Sequence, residues 1–73
     1  MSDVMPIGLL SRKTGVKIPT IRYYESVGLL RPPPRSEGNR RLYGPTAVDR
    51  LRFIRHAREL GFEVEAIREL LGL

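Results

Sequence analysis

Two short groups of residues carry side chains suited to binding phosphate. The first group is Thr20, Arg22 and Tyr23, within TIRYYESVGLL, and the second is Arg40, Arg41 and Tyr43, within EGNRRLYG. A guanidinium can bind phosphate oxygens through two parallel hydrogen bonds, and a hydroxyl can donate one. An arginine on a short helix is more often merely solvated and a tyrosine more often packed, so the residue types alone leave both interpretations open.

Positive charge is concentrated in the first part of the chain. Residues 1–44 contain eight Lys or Arg against three Asp or Glu, whereas residues 45–73 contain five of each, so the first part holds the whole net charge of +5. Lys17 and Arg35 belong to this excess. Such segregation is expected of a surface that binds a polyanion, although a modest basic excess is also common in ordinary proteins.

Residues that could support catalysis or hold a metal are scarce in the sequence. The 73 residues include one histidine, His56, and no cysteine. A lone histidine in an arginine-rich stretch is usually a solvated surface residue, and no serine has a recognisable base beside it. We therefore expect no enzymatic activity, no cofactor and no metal site.

The first group lies on the second of two short predicted helices. The first helix is predicted over about 6–14, beginning at a proline and ending at a glycine, and the second over about 19–27. In the second helix Ile21 and Tyr24 form the inward face, which leaves the first group on other faces. Two short helices joined by a glycine-containing turn predict a helix-turn-helix over 6–28.

The second group falls in a segment predicted to form a small hairpin, or wing, over 31–44. Three successive prolines suit only an extended lead-in or a sheet edge, and a glycine–asparagine pair suits a turn. After the turn, Arg41 and Tyr43 share one face of the strand, and Arg40 and Leu42 lie on the other. We expect Leu42 to anchor the wing to the helices, with the arginines and the phenol hydroxyl outside.

Two amphipathic helices are predicted over 45–71. Apolar residues recur at three-residue steps from Val48 to Leu60, and a second apolar side runs from Val64 to Leu71. The predicted architecture is therefore a mostly α domain with a small β-hairpin, a winged helix-turn-helix. The chain is long enough for one small domain, and no stretch resembles a secretion signal or a membrane span.

The order of these motifs resembles the N-terminal DNA-binding domain of the MerR family of bacterial transcription regulators. The matching stretches are IGLLSRKTGV, TIRYYESVGLL, EGNRRLYG, LRFIRHARELGF and IRELL, which cover nearly the whole chain. The resemblance implies a winged helix-turn-helix domain over 1–73 whose second helix enters the major groove of DNA. It also implies regulation by binding and distorting promoter DNA, with RNA polymerase as an indirect partner and a cytoplasmic, nucleoid-associated location without membrane attachment.

The resemblance also implies which residues touch DNA. Arg22 and Tyr23 match groove and phosphate contacts on the second helix, and Arg41 and Tyr43 match contacts of the wing. The candidate DNA-binding residues are Lys17, Thr20, Arg22, Tyr23, Arg35, Arg40, Arg41 and Tyr43. The sequence departs from the family pattern at the expected helix caps, which are Lys17 and Glu63, and at Arg40, where the family often has an aromatic residue.

Family members typically continue into a long helix that forms a coiled coil and then into an effector-binding segment. These 73 residues contain neither, so we expect a truncated or unusually short protein that is monomeric or weakly dimeric, whereas the intact protein is expected to be a homodimer. Two other functions stay open. One is an excisionase-like architectural protein that bends DNA, and the other is a protein-interaction module whose basic face binds an acidic partner.

Overall fold

The protein is mostly helical. A computed structural model of the chain describes residues 4–33, 38 and 41–73. The helices in these residues are α1 (Ile7–Thr14), α2 (Ile18–Ser26), α3 (Pro45–Glu59) and α4 (Val64–Leu70). Each predicted helix is confirmed, with ends that differ by a few residues at most. No helix within the described ranges is long and apolar enough to cross a membrane.

The turn between α1 and α2 is held by two hydroxyl groups near the end of α1. The Thr14 hydroxyl donates to the Leu10 carbonyl at 2.8 Å and accepts from the N–H of Val16 at 3.3 Å. The Ser11 hydroxyl donates to the Val16 carbonyl at 2.6 Å. Gly15 adopts φ +74°, a left-handed conformation that favours glycine at a helix C-terminus. These contacts fix the start of α2 relative to α1.

The predicted caps of α2 and α4 are confirmed. Lys17 precedes α2 and Glu63 precedes α4, both with extended backbone, and neither side chain makes a capping hydrogen bond. Capping side chains usually stabilise a helix by about 1 kcal/mol. The positions of α2 and α4 therefore depend mainly on packing and on the hydrogen bond from Arg68 of α4 to the Val27 carbonyl at the end of α2.

The core lies between all four helices, and α3 runs through its centre. Apolar residues of α3 are buried at three-residue steps, namely Val48, Leu51, Ile54 and Ala57. The predicted continuation of this stripe to Leu60 is wrong, because α3 ends at Glu59 and Leu60 is 78% exposed. In α4 the fully buried residue is Ile67. A helical stripe faces the core only as far as the helix continues.

Tyr43 pairs with Met5 near the start of the chain. The N–H of Met5 donates to the Tyr43 carbonyl at 2.8 Å, and the N–H of Tyr43 donates to the Met5 carbonyl at 2.7 Å, which forms an antiparallel bridge. The predicted two-stranded wing is not seen in the described part of residues 31–44. Its residues 34–37 and 39–40 lie outside the described ranges.

The expected orientation of this segment is wrong. Tyr43 is 1% exposed and belongs to the core, whereas Leu42 is only partly buried. The ring of Tyr43 fills more of the core than leucine would, and its hydroxyl has a hydrogen-bond partner in Glu25. A tyrosine can be buried at little cost when its hydroxyl is bonded in this way. Tyr43 therefore anchors residues 41–43 to the helices.

Arginines of α3 and α4 hold the ends of the first two helices. These side chains donate hydrogen bonds to main-chain carbonyls as follows: Arg52 to Lys13, Arg55 to Thr14, Arg68 to Val27 and Arg50 to Leu29. The acceptors lie at or just beyond the C-terminal ends of α1 and α2, where carbonyls lack partners within the helix. A positive charge there also stabilises the helix dipole. These arginines tie the helix-turn-helix to the helix pair behind it.

Candidate nucleic-acid interface

Helix α2 separates its apolar and polar residues onto different faces. Ile21 and Tyr24 are buried, as predicted. Arg22 is exposed, Tyr23 is 50% exposed and Thr20 is partly buried. The helix therefore keeps a guanidinium, a phenol and a hydroxyl accessible while its other face is fixed in the core. A helix of nine residues held in this way is of a size that fits the major groove of DNA.

The start of α2 adjoins a groove with further positive charge. Lys17 is exposed at the N-terminal end of the helix, and the groove beside it is lined by Thr20, Arg55 and Arg58 together with Glu59. These arginines belong to a stretch of zero net charge, and neither charge nor spacing predicts that they lie near α2. Their proximity results from the packing of α3 against the helix-turn-helix.

A carboxylate joins α2 to residues 41–43. The Tyr43 hydroxyl donates to Oε2 of Glu25 at 2.7 Å, and Nη1 of Arg41 lies 3.8 Å from Oε1 of the same carboxylate. The side chain of Glu25 is 7% exposed and that of Arg41 is 37% exposed. We call these three residues the Glu25 cluster. It keeps the Arg41 guanidinium beside the helix that carries Arg22 and Tyr23.

The electrostatics of the Glu25 cluster keep the tyrosine hydroxyl protonated. Burial, the hydrogen bond to Glu25 and the negative charge of Glu25 together raise the pKa of Tyr43 to about 12, in that order of importance. The positive charges of Arg41 and Arg22 act in the opposite direction. Tyr43 is therefore a hydrogen-bond donor throughout the neutral range, and Arg22 lies near enough to influence the cluster.

Comparison with known proteins decides the family. A family model described as "MerR HTH family regulatory protein" matches residues 5–72. The chain belongs to the MerR family. Because this match covers almost the whole chain, the predicted resemblance is confirmed.

Several MerR relatives are similar along nearly the whole chain. "Heavy metal-dependent transcription regulator 2" of Rhizobium meliloti (strain 1021) is 52% identical over 69 residues, which are 94% of this chain and 47% of that protein. "HTH-type transcriptional regulator ZntR" of Escherichia coli (strain K12) is 49% identical over 67 residues, which are 92% of this chain and 48% of that protein. These names describe regulators of transcription rather than enzymes.

A solved MerR structure has the same fold. The transcription regulator PbrR691 from Ralstonia metallidurans CH34, determined in complex with lead(II), matches with a TM-score of 0.85 and 47% identity over 93% of this chain and 53% of that one. The chain thus spans about half the length of the relatives it matches. The metals in these names and titles belong to those proteins.

The candidate residues divide into three sets in this MerR chain. Lys17, Thr20, Arg22, Tyr23 and Arg41 are accessible at α2 and beside it. Tyr43 is buried, with its hydroxyl bonded to Glu25, and Arg35 and Arg40 lie outside the described residues. The contact of these residues with DNA stays a prediction.

Glu25 is not among the residues predicted from the sequence, although one signal points to it. Glu25 is an acidic residue in the middle of a basic motif, three positions after Arg22 and therefore one helical turn away from it. An acid in such a place either repels the phosphate in the predicted contact or forms an ion pair with a neighbouring cation. The position of Arg41, which lies 16 residues further along the chain, decides between these two roles.

Proposed function

We propose that this chain is the DNA-binding domain of a MerR-family transcription regulator and that it binds double-stranded promoter DNA. The main support is the exposed Arg22 on α2, with the exposed Lys17 directly before the helix, in a chain that belongs to this family. The mechanism is recognition by α2 in the major groove, together with phosphate contacts from the residues around it.

Within α2 we assign the discriminating contact to Arg22. An exposed guanidinium on this helix can form paired hydrogen bonds with the edge of a guanine. Lys17, Thr20 and Tyr23 are assigned to phosphate and sugar contacts that fix the register of the helix on the duplex. Pro19 lacks a polar side chain, so base reading is concentrated in few residues.

Beside α2 we assign Arg41 to the flanking phosphates, together with Arg35 and Arg40 of the proposed wing over 31–44. A phosphate contact by Tyr43 requires its hydroxyl to leave Glu25, since a phenol has one proton to donate. We therefore propose that Tyr43 contributes less to DNA binding than the arginines do.

For the whole protein we propose a homodimer that acts in the cytoplasm at the nucleoid and distorts promoter DNA, with RNA polymerase as an indirect partner. The domain limits in this proposal are a helix-turn-helix over 6–28, a wing over 31–44 and a helix pair over 45–71. Distortion of this kind makes the sequence between half-sites matter even where no side chain touches it. The 73-residue chain alone is proposed to be monomeric or weakly dimeric.

Selection of duplexes from a randomised library tests this function. The chain is incubated with random duplexes, bound DNA is amplified over several rounds, and the enriched duplex is compared with a shuffled duplex of the same composition by fluorescence anisotropy. We expect the chain to prefer the enriched duplex by at least about tenfold, which is the scale of one good arginine–guanine contact. Equal affinity for both duplexes would contradict sequence-specific binding.

Two further outcomes separate the alternative functions. Cooperative binding to direct repeats would favour the excisionase-like architectural protein. Binding no tighter than that of an unstructured peptide of the same charge would favour the protein-interaction module.

A further inference from the structure

Glu25 places a negative charge on the side of the molecule proposed to face DNA. It belongs to α2, the same helix as Arg22 and Tyr23. A carboxylate repels the phosphate backbone, so by charge alone it should weaken the binding of every duplex. Its side chain is also only 7% exposed, and a charge buried to this extent is costly without partners.

Among the described residues, Glu25 has two side-chain partners, and both come from residues 41–43. Tyr43 donates to it at 2.7 Å and is itself immobilised, because its ring is buried and its main chain pairs with Met5. Arg41 lies at ion-pair distance, 3.8 Å. The carboxylate is thus held by a rigid donor on one oxygen and attracts a guanidinium with the other.

The Arg41 guanidinium keeps N–H donors that the ion pair with Glu25 does not occupy. An arginine has five N–H donors, and the side chain of Arg41 remains 37% exposed. A free arginine must lose side-chain rotamer freedom when it binds a phosphate, and that loss weakens binding. An arginine already held in place loses less, so a nearby carboxylate can increase affinity despite its charge.

We propose that Glu25 is a positioning residue that holds the Arg41 guanidinium beside α2, so that Arg41 and α2 meet the same stretch of duplex together. This inference rests on the proposed function. Glu25 itself touches no DNA in this account. Its effect on binding passes entirely through Arg41, and Tyr43 supports it by fixing the carboxylate.

The substitution Glu25→Gln separates positioning from repulsion by the sign of its effect. Glutamine has nearly the same shape, and its amide oxygen can still accept the hydrogen bond from Tyr43. What is lost is the charge that attracts Arg41. If Glu25 only repels DNA, the variant binds more tightly, whereas if Glu25 positions Arg41, the variant binds more weakly.

A double-mutant cycle provides the test. The wild-type chain, Glu25→Gln, Arg41→Ala and the double variant are titrated with the enriched duplex over a range of salt concentrations. We expect Glu25→Gln to weaken binding about two- to threefold when Arg41 is present, the scale of one partly exposed ion pair. In the Arg41→Ala background the same change should leave affinity equal or slightly higher, because nothing remains to be positioned.

The matched control is Glu69→Gln. Glu69 is an exposed carboxylate on α4, so this variant makes the same change in net charge away from the cluster. It should bind the duplex as tightly as the wild type or slightly more tightly. A weakening equal to that of Glu25→Gln would show that the cluster has no special role.

Two results of the cycle would overturn the inference. Tighter binding by Glu25→Gln in both backgrounds would mean that the carboxylate only repels DNA. Equal weakening in both backgrounds would mean that the change acts on the fold and not through Arg41, which thermal unfolding of the four proteins would show independently. Failure of the proposed function itself looks different, since the wild type would then not distinguish the enriched duplex from the shuffled one.

Discussion

The arginines of the two halves of this chain, residues 1–44 and residues 45–73, occupy different surroundings. In residues 45–73, each of the five arginines donates a hydrogen bond to a main-chain carbonyl. In the first half, Arg22 is exposed, and no bond from its guanidinium to a carbonyl is found among the described residues. Arg41 is paired with a carboxylate and remains partly accessible. One residue type thus stabilises the fold in one half and is available to a polyanion in the other.

This difference shows why net charge was only a partial guide to the interface. The second half is neutral by count, yet its arginines are already bonded at the helix ends and contribute to stability. Carbonyls at a helix C-terminus need donors, and a long arginine side chain can reach them from a neighbouring helix. The accessibility of each guanidinium, rather than the sum of charges, distinguishes the two halves.

The largest expected effect concerns an arginine of the second half and the turn it contacts. A methyl group at Gly15 would collide with the Arg55 guanidinium, and Gly15 also has φ +74°. The guanidinium can move aside but then loses its hydrogen bond to the Thr14 carbonyl, so we expect Gly15→Ala to lower the free energy of unfolding by about 2–3 kcal/mol in urea denaturation. The control is Gly61→Ala, at φ +95° with no described atom within 4 Å of the added methyl, which should cost only about 1 kcal/mol. Equal costs would contradict the role given to Arg55.

A reciprocal pair of substitutions tests the two arginine classes directly. Arg68→Ala leaves the Val27 carbonyl without its donor and should lower the free energy of unfolding by about 1–2 kcal/mol, with little change in DNA affinity. Arg22→Ala should change stability by less than about 0.5 kcal/mol. It should reduce the preference for the enriched duplex about tenfold. Both variants are measured by denaturation and by anisotropy. If each variant lowered the free energy of unfolding and the duplex preference to a similar extent, the distinction between the two arginine classes would be wrong.

The buried tyrosine beside the proposed interface should make stability depend on alkaline pH. The pKa of Tyr43 is raised to about 12 from 10.0, so its protonated form is favoured by folding. This contribution is fully present below pH 10 and is lost as the pH rises through 12. As the pH rises from 10 to 12, we expect the unfolding free energy of the wild type to fall by about 1–2 kcal/mol more than that of Tyr43→Phe. The measurement is the difference in unfolding free energy between wild type and variant at each pH. Parallel curves across this range would contradict it.

The smallest expected effect sharpens the assignment of Arg41. Arg41→Ala should weaken the binding of enriched and shuffled duplexes by the same factor, because a phosphate contact carries no base information. It should also reduce the steepness of the log–log salt dependence by about 1. A change confined to the enriched duplex would show instead that Arg41 reads sequence.

The helices could be predicted because their signals are local. Glycines and prolines mark their ends, and apolar spacing marks their inner faces, as at Ile21 and Tyr24. The errors arose where local patterns do not suffice. Alternation in a short strand does not say which face meets the core, so Leu42 and not Tyr43 was expected inside. The stripe of α3 continues in sequence beyond the point where the helix ends, which misplaced Leu60.

The interface could be predicted only in part, for a related reason. Arg22 and Tyr23 follow from the faces of one helix, which the sequence encodes directly. The Glu25 cluster joins residues 18 positions apart, and the bond from Arg55 to Thr14 joins residues 41 apart. Contacts across such separations depend on tertiary packing, which helical periodicity and composition do not predict.

Nuclear magnetic resonance titration of the ¹⁵N-labelled chain with the enriched duplex tests the central claim most directly. The account predicts that the amide shifts concentrate in α2, in the turn before it and in residues 41–43, while the exposed side of α4 remains unchanged. Shifts confined to α3 and α4, with Arg22, Tyr23 and Arg41 unaffected, would contradict the assignment of the DNA-binding surface.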